Sequence, residues 1–256
     1  MSSNVTTLRG AANEQHGSAS EAQSAFVANI FSALERTEYR RCESGEDLED
    51  IYRLRYKAYR RTDMVGDISE GQIHDALDEQ ENCHRFGVYI DGVLVSTLRL
   101  HLVTAEHSRS PSTIVYPDIL MPRLEAGETF IDPSRFAADP DWTKTFPQIP
   151  YITLRLAGMA CMHFATPYCL STIRPDHGGF YRRIYHSEQI GELRDYPGLN
   201  YQVVLYQADV NAIRTRSFAR FPFFRSTPME QRLMFGETRI GEPKPLTILP
   251  TARYAA

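Results

Sequence analysis

The chain has 256 residues, of which 42% are hydrophobic and 23% are charged, and its formal net charge is −4 at pH 7. This length supports one sizeable hydrophobic core, and the charge balance gives no reason to expect a nucleic acid or a membrane as partner. Apolar stretches are interrupted well before the roughly 18 residues that a membrane span needs. The first residues lack the apolar core of a signal peptide, so the composition predicts a soluble cytoplasmic protein.

In chain order, residues 1–22 are rich in Ser, Ala, Asn and Gln and are predicted to be disordered. A short amphipathic helix is predicted over residues 25–34 and a first strand over residues 39–42. Ser44 is predicted to cap the next helix, with Asp47 as its capping-box partner. The four cysteines form no CxxC pair and are expected to be core thiols: Cys42, Cys83, Cys161 and Cys169.

The Asp91-Gly92 pair lies between two apolar runs and predicts a β-hairpin over residues 86–102. A loop or short helix is expected over residues 108–128. The remaining predicted elements are strands at 129–131, 169–173 and 201–206 and helices at 151–165 and 179–185. This order predicts an α/β (α+β) fold, a single domain over residues 23–210 with a mixed sheet flanked by helices, and an extension over residues 211–256 that packs on it.

Asp132 and Arg135 follow the predicted strand 129–131, where side chains would open into a cleft. Forming an amide from a thioester requires an acceptor for the amine proton and stabilisation of the carbonyl oxygen. A carboxylate at the cleft could take that proton directly or through a water. A structural ion pair, or an aspartate that caps the loop before Pro133, is the alternative.

Arginines and acids at four earlier positions complete an ordered set. Asp75 and Asp78 are spaced i, i+3 and alone would suggest a solvated acidic face. Arg99 is expected at the end of the second hairpin strand, where it could bind a carboxylate or pair with Asp132 or Asp78. Arg55 lies on the helix after Ser44, and the alternative for it is a buried ion pair with an acid.

This set resembles the long-chain N-acyl amino acid synthases and their relatives, the acyl-homoserine lactone (autoinducer) synthases, over about residues 40 to 210. Both are acyltransferases of the GCN5-related N-acetyltransferase (GNAT) fold. The resemblance implies catalytic roles for Asp132, Arg135 and Asp78, and substrate binding by Arg99, Arg55 and Asp75. Two positions depart from the relatives: Asp132 stands where they have Glu, and the glycine of their Gly-x-Arg-Leu is absent before Arg99.

The run from Arg174 to Arg183 resembles the strand-to-helix turn of the N-acyl amino acid synthases, which also have a His before Phe-Tyr-Arg. The resemblance implies that His177 contacts the thioester region, although a histidine before a Gly-Gly turn is more often a cap or a packing residue. Phe180 and Tyr181 are expected in the core and in the wall of an acyl tunnel.

The coenzyme A pyrophosphate motif of ordinary acetyltransferases is not visible after Arg135. That absence favours an acyl-phosphopantetheine donor on an acyl carrier protein, with no bound cofactor and no metal. Carrier proteins are acidic, so basic side chains are candidates for docking, with a solvated arginine face as the alternative. The candidates are Arg182, Arg183, Arg214 and Arg216, together with Arg220 and Arg225.

The resemblance therefore implies an enzyme that forms an amide between a long-chain acyl group and the amine of an amino acid. One alternative is acyl-homoserine lactone synthesis with S-adenosylmethionine as the amine donor. The other is a non-catalytic relative that binds acyl carriers or acyl amino acids. A peripheral membrane contact is expected only through the lipid product.

Overall fold

The structure, a computed structural model, describes residues 24–236 and 247–255. The tail predicted to be disordered, residues 1–22, lies outside the described residues. Within them, seven strands form one mixed sheet in the order β1-β2-β3-β4-β5-β7-β6. The strands are β1 (Thr37–Arg41), β2 (Cys83–Ile90), β3 (Val93–Val103), β4 (Phe130–Ala138), β5 (Tyr168–Ile173), β6 (Glu188–Asp195) and β7 (Gln202–Asp209). The predicted fold class, a mixed sheet flanked by helices, is confirmed.

The helices are α1 (24–34), α2 (Gly45–Arg61), α3 (Pro111–Val115), α4 (Pro117–Glu125), α5 (Ile149–Phe164), α6 (Gly178–Tyr185), α7 (Val210–Ala212), α8 (Phe218–Arg220) and α9 (Pro228–Phe235). A π-helical segment, Ile213–Ser217, joins α7 to α8. Along β3, Leu98 and Leu100 belong to the main apolar cluster, which includes α5. The intervening Arg99 lies near Arg55 of α2, close enough for its charge to add to the effect of burial in lowering the pKa of Arg55. Since successive strand side chains point to opposite faces, α5 and α2 cover opposite faces of the sheet.

The hairpin predicted from Asp91-Gly92 is confirmed. Both residues have positive φ, 50° for Asp91 and 78° for Gly92. This is the backbone geometry that a type I′ turn requires, and glycine adopts it without a steric penalty. The turn sets the antiparallel register of β2 and β3.

Two local predictions are wrong, and one strand was not predicted. Ser44 precedes α2 but its side chain makes no capping hydrogen bond, so the capping box is absent. Strand β6 was missed because it is a polar, largely exposed edge strand without an alternating apolar pattern. Strand β4 continues to Ala138 through Pro133, because a bulge at Arg135, where φ is 53°, lets the strand keep its pairing with β3.

Strands β4 and β5 are parallel neighbours that pair only at their first residues, Phe130 with Tyr168 and Ile131 with Cys169. Beyond these pairs the two strands are not hydrogen-bonded to each other, while β4 stays paired with β3 and β5 with β7. The sheet is therefore split in its centre. The β4 bulge lies beside this split.

The segment after β7 contributes buried residues to the main core. Phe223 and Phe224 belong to the apolar cluster that includes α5. Arg155 of α5 donates hydrogen bonds to the Phe223 carbonyl oxygen at 2.9 Å and to Glu230 Oε2 at 2.8 Å. The boundary between a domain and an extension at residue 210 stays a prediction. No helix in the described part of the chain is long and apolar enough to cross a membrane.

Candidate active site

Five charged side chains form a continuous chain of ion pairs beside the split. Arg55 Nη1 lies 2.9 Å from Asp78 Oδ1, and Arg99 Nη1 lies 3.0 Å from Asp78 Oδ2. Arg99 Nη1 also lies 2.6 Å from Asp75 Oδ1, and Asp75 Oδ2 lies 2.5 Å from Arg135 Nη2. The structure thus brings together five of the six residues of the predicted ordered set. The pairing of Arg99 with Asp78 is one of the two alternatives that the sequence left open.

Three members of this ion-pair network are fully buried: the side chains of Arg55, Asp78 and Arg99 are 0% exposed. Asp75 is 32% exposed and is the carboxylate nearest to solvent. Burial alone would raise the pKa of Asp75, but the charges and hydrogen bonds of Arg99 and Arg135 outweigh it and hold the pKa well below its usual range. Asp75 is therefore a permanent anion and a poor proton acceptor.

The arginines retain unused hydrogen-bond donors. Arg55 Nε and Nη2, Arg99 Nη2 and Arg135 Nε are buried and have no hydrogen-bond partner within the described residues. Buried donors are normally satisfied, so each such group calls for an explanation. An anionic or carbonyl ligand at the split would supply acceptors to Arg135.

Asp132 does not occupy the position predicted for it. It is the third residue of β4 rather than the residue after a strand, and it is 0% exposed. Its carboxylate accepts hydrogen bonds from the Ser112 backbone N–H at 2.8 Å and the Ser112 hydroxyl at 2.7 Å. Burial raises the pKa of Asp132, although hydrogen bonds from Ser110 and Ser112 oppose the rise. The expectation that Asp132 opens into a cleft is wrong, because helix α3 covers it.

Arg99 also departs from its predicted place. It lies in the middle of β3 instead of at the strand end, and its Nε donates to the Ser134 hydroxyl at 3.0 Å. Arg135 does not pair with Asp132, and its guanidinium donates to Asp75 instead. The i, i+3 spacing of Asp132 and Arg135 therefore does not produce an ion pair, because the bulge at Arg135 interrupts the regular strand and Arg135 pairs with Asp75.

An apolar pocket runs inward from the split under α5 and α6. It opens into a more polar mouth beside Arg135 and His177, and both regions are lined by Pro133, Leu154, Ser171 and Tyr181. The deeper part is lined by Ala157, Gly158, Cys169, Tyr185, Ser187, Ala208, Ile213, Phe218 and Phe224. Burial raises the pKa of Tyr181, so its hydroxyl stays neutral and adds no charge to this wall.

A second pocket borders Arg135 and combines charged side chains with a largely apolar lining. Asp75, Arg109, Arg135 and Tyr196 line it, together with apolar residues of α3. Arg135 borders both the mouth of the apolar pocket and this second pocket. Arg109 and Tyr196 were missed in the sequence because Arg109 lies in a loop and Tyr196 follows the unpredicted strand β6.

His177, Phe180 and Tyr181 lie at the turn between β5 and α6. His177 ends the short 3-10 helix Pro175–His177, is exposed, and makes no capping hydrogen bond to α6. It lines the mouth of the apolar pocket. Phe180 is partly buried and packs against Tyr151 with ring centroids 5.4 Å apart. The role of each residue stays a proposal.

The arginines predicted to dock a carrier lie on α6 and on the π-helical segment. Arg182, Arg183, Arg214 and Arg216 are all exposed. Arg182 Nη1 lies 2.5 Å from the Tyr206 hydroxyl, and Arg214 Nη2 lies 3.2 Å from Asn211 Oδ1. The packing of Ser217 on Ile184, through a 2.8 Å hydrogen bond, brings these two segments into contact.

Comparison with known proteins identifies the family. A sequence model described as "N-acyl amino acid synthase FeeM" matches residues 50–209, which is more than half of the chain. The chain belongs to this family. The predicted recognition is therefore confirmed, and this FeeM-family protein is an acyltransferase. No protein among curated sequences matches it.

A solved structure of this family shares the fold, and two synthases of a related class are less similar. FeeM, an N-acyl amino acid synthase from uncultured soil microbes, is 20% identical to this FeeM-family chain with a TM-score of 0.59, covering 73% of this chain and 98% of FeeM. The acyl-homoserine lactone synthase LasI is 13% identical with a TM-score of 0.47, covering 70% of this chain and 93% of LasI. BjaI, a CoA-dependent acyl-homoserine lactone synthase, is 14% identical with a TM-score of 0.48, covering 69% of this chain and 79% of BjaI.

Proposed function

We propose that this protein transfers a long-chain acyl group from an acyl carrier protein to the amine of an amino acid and releases an N-acyl amino acid. The observation that carries the proposal is the arrangement of pockets around Arg135. An apolar pocket approaches the split in the sheet from one side, and a pocket with both charges approaches it from the other. A thioester and an amine that meet at the split would each have a matching environment.

The acyl tail occupies the apolar pocket, and the thioester lies at the mouth. The deep part of the pocket is lined by apolar side chains, so transfer of a saturated acyl chain from water into it is favourable. The thioester carbonyl faces the β4 bulge at Arg135, where the strand departs from regular pairing. A backbone N–H at this bulge would polarise the carbonyl and stabilise the oxyanion of the tetrahedral intermediate.

The amino acid occupies the second pocket. Its ammonium group is attracted to Asp75, and its carboxylate to Arg109, an exposed cation on the same wall. The amine must lose a proton before it attacks. Because Asp75 is a permanent anion and Asp132 is inaccessible, a water in the pocket accepts that proton and passes it to solvent. The amine nitrogen then bonds to the carbonyl carbon, the carbon–sulfur bond breaks, and a second proton from that nitrogen passes to the departing sulfur, which leaves as the thiol.

The start of α5 supports a carrier protein over coenzyme A as the acyl donor. Binding a pyrophosphate at a helix N-terminus requires several free backbone N–H groups. Here Pro147 and Pro150 flank the N-cap residue Gln148, and prolines have no N–H to offer. A phosphopantetheine arm on a carrier does not need a pyrophosphate site.

The exposed arginines of α6 and the π-helical segment are the proposed docking surface for the acidic carrier. They lie beside the elements that wall the apolar pocket, so a carrier seated on them could deliver its arm to the mouth. The proposal includes a cytoplasmic location, which is supported by the four cysteines, all of them free thiols.

The test is an in vitro assay with purified protein, acyl carrier protein loaded with a long-chain acyl group, and a mixture of amino acids. Mass spectrometry of the extract identifies the product, and a thiol reagent follows carrier release. Parallel reactions replace the carrier with acyl-coenzyme A and the amino acids with S-adenosylmethionine. Arg135→Met is the active-site variant, and Arg53→Met on the exposed face of α2 is its matched control.

We expect masses equal to fatty acid plus amino acid minus water, formed by wild type and Arg53→Met and greatly reduced in Arg135→Met. Faster reaction with acyl-coenzyme A would refute the carrier as donor. An acyl lactone formed only with S-adenosylmethionine would refute the amino acid as acceptor. Binding of acyl carrier without any turnover would favour the non-catalytic alternative.

A further inference from the structure

The deep end of the apolar pocket is built by residues that follow the family match. The match ends at residue 209, and Ile213, Phe218 and Phe224 all come after it. None of the three lines the polar mouth. They therefore lie at the end of the pocket that is remote from the thioester.

These residues are held in place by specific contacts. Ser217, next to Phe218, donates a hydrogen bond to the Ile184 carbonyl of α6 at 2.8 Å. The Phe224 ring packs on Tyr185 with centroids 5.3 Å apart. Arg155, fully buried in α5, donates to the carbonyl oxygens of Phe223 at 2.9 Å and Arg225 at 2.6 Å. The segment is therefore fixed to both helices that cover the pocket.

We infer that the segment 213–224 is a chain-length gauge, with Phe218 and Phe224 as specificity-determining residues that limit how long an acyl chain the protein accepts. A rigid aromatic wall at the end of a linear pocket excludes longer chains by steric overlap, whereas shorter chains leave the end unfilled and lose burial. This inference rests on the proposed function in that the ligand is taken to be an acyl thioester. The π-helical turn at Ile213–Ser217 fits such a role, since π-bulges are frequent at functional sites.

Substitution of Gly158 on α5 offers a second, independent way to change the size of the deep end of the pocket. Gly158 lines the pocket, and a Cβ added there would lie 4.0 Å from Phe218 Cζ, which is ordinary van der Waals contact. Gly158→Ala therefore adds a methyl group beside the pocket end without a clash. Alanine is also the better helix former, so this variant is not expected to lose its fold.

Three variants test the gauge. Phe218→Leu enlarges the pocket end, and Gly158→Ala reduces it. Phe221→Leu is the matched control, because Phe221 is 4% exposed in the same segment but does not line the pocket. Acyl-pantetheine thioesters of increasing saturated chain length are titrated against each variant by native mass spectrometry, and products with amino acids are measured in parallel.

We expect the chain length bound most tightly to increase in Phe218→Leu, to decrease in Gly158→Ala, and to stay unchanged in Phe221→Leu. The same shifts in product length would follow. An identical length preference in all four proteins, or absence of thioester binding, would overturn the inference. Because binding is read without turnover, a shift in binding with no acylated amino acid formed would refute the proposed reaction while supporting the gauge.

Discussion

Asp78 is the carboxylate on which the buried arginines depend. It receives Arg55 and Arg99 on its two oxygens, and all three side chains are excluded from solvent. A buried ion pair adds little over an apolar core, but removal of one partner leaves an uncompensated buried charge. The value of Asp78 is therefore in holding two guanidinium groups in place, one of which orients Asp75 towards the second pocket.

Asp78→Asn is expected to lower the free energy of unfolding by about 3–5 kcal/mol, because two buried cations lose their shared anion. Chemical denaturation at pH 7 measures the change. Asp118→Asn is the control, since Asp118 forms an exposed ion pair with Arg194 and should change stability very little. Equal effects of the two substitutions would contradict the assignment of the buried network.

We propose that Asp132 supports the active site by holding Ser112 in place and does not accept a proton, because its carboxylate is fully buried. Asparagine can still accept from the Ser112 N–H and can donate to the Ser112 hydroxyl, so Asp132→Asn should reduce kcat/KM by no more than about tenfold, the cost of weakening one hydrogen bond. Asp132→Ala removes both contacts and should reduce it further. Steady-state kinetics with loaded acyl carrier protein measures these changes in kcat/KM. Complete loss of activity in a folded Asp132→Asn variant would support Asp132 as the proton acceptor.

His101 is a buried histidine of β3 that faces the same region. Burial lowers its pKa to about 4, and its Nε2 lies 3.0 Å from the Leu77 carbonyl oxygen. Because its usual pKa is 6.5, the unfolded chain binds the proton first as the pH falls. The stability that the neutral ring contributes is therefore complete above pH 6.5 and is lost as the pH falls towards 4.

The wild type should lose roughly 3 kcal/mol more stability than His101→Gln when the pH falls from 6.5 to 4. Glutamine keeps a donor for the Leu77 carbonyl but does not titrate. Denaturant unfolding curves of both proteins across this range give the difference. Parallel pH profiles would show that His101 is protonated in the folded protein. Burial also lowers the pKa of His84 to about 4. Because His84 is present in both the wild type and His101→Gln, its contribution cancels in the difference between their unfolding curves.

At the scale of elements, local signals in the sequence were sufficient where one turn or one run determined the structure. Asp91-Gly92 specified its hairpin because the turn needs two positive φ angles. The covering of Asp132 was not predictable, because Ser112 lies twenty residues away and belongs to a short helix without a distinctive pattern. The sequence offered Asp132 and Asp78 as ion-pair partners of Arg99. In the structure Arg99 pairs with Asp78 and Asp75, which both lie in the loop before β2, and charge alone did not predict the path of that loop.

Helix α5 and helix α9 are joined by the buried pair of Arg155 and Glu230. Both side chains are 0% exposed, and Glu230 also accepts from the backbone N–H of Thr251 at 3.0 Å. Since Arg155 also holds the carbonyls of residues 223 and 225, this pair fixes the wall of the apolar pocket. Substitution of Glu230 in α9 is therefore expected to alter the wall of the apolar pocket.

Glu230→Gln is expected to destabilise the protein by about 3–5 kcal/mol, because Arg155 would be left buried without an anion. Thermal and chemical unfolding provide the measurement. Glu35→Gln serves for comparison, as Glu35 pairs with Arg253 at the surface with both side chains more than half exposed, and should be nearly neutral. A neutral result for Glu230→Gln would mean that neighbouring carbonyls suffice to stabilise Arg155.

At the scale of the whole molecule, a net charge of −4 coexists with an exposed arginine surface on one side. An acidic carrier protein would be repelled by the average charge and attracted by this surface. Such electrostatic steering changes the association rate more than the rate of the chemical step, and salt screens it. The sequence suggested these arginines as candidates for docking by their charge, but only the hydrogen bond from Ser217 to α6 shows that their two segments are neighbours.

The double substitution Arg182→Glu/Arg183→Glu should raise KM for the acyl carrier protein by roughly tenfold at low salt and leave kcat unchanged. With acyl-pantetheine as donor, neither salt nor the substitution should matter. The double substitution Arg53→Glu/Arg61→Glu at exposed positions of α2, across the sheet, is the charge-matched control. A KM that is insensitive to salt in the wild type would argue against electrostatic docking.

The position of the pocket end in the amino-acid sequence has a consequence for biosynthesis. The ribosome completes strands β4 and β5, which form the split, well before it reaches Phe218 and Phe224. A nascent chain released or folded at that stage would present an unsealed apolar channel to the cell. Packing of the later segment against Arg155 would close this channel, so we expect dependence on chaperones to be greatest in variants that delay that packing.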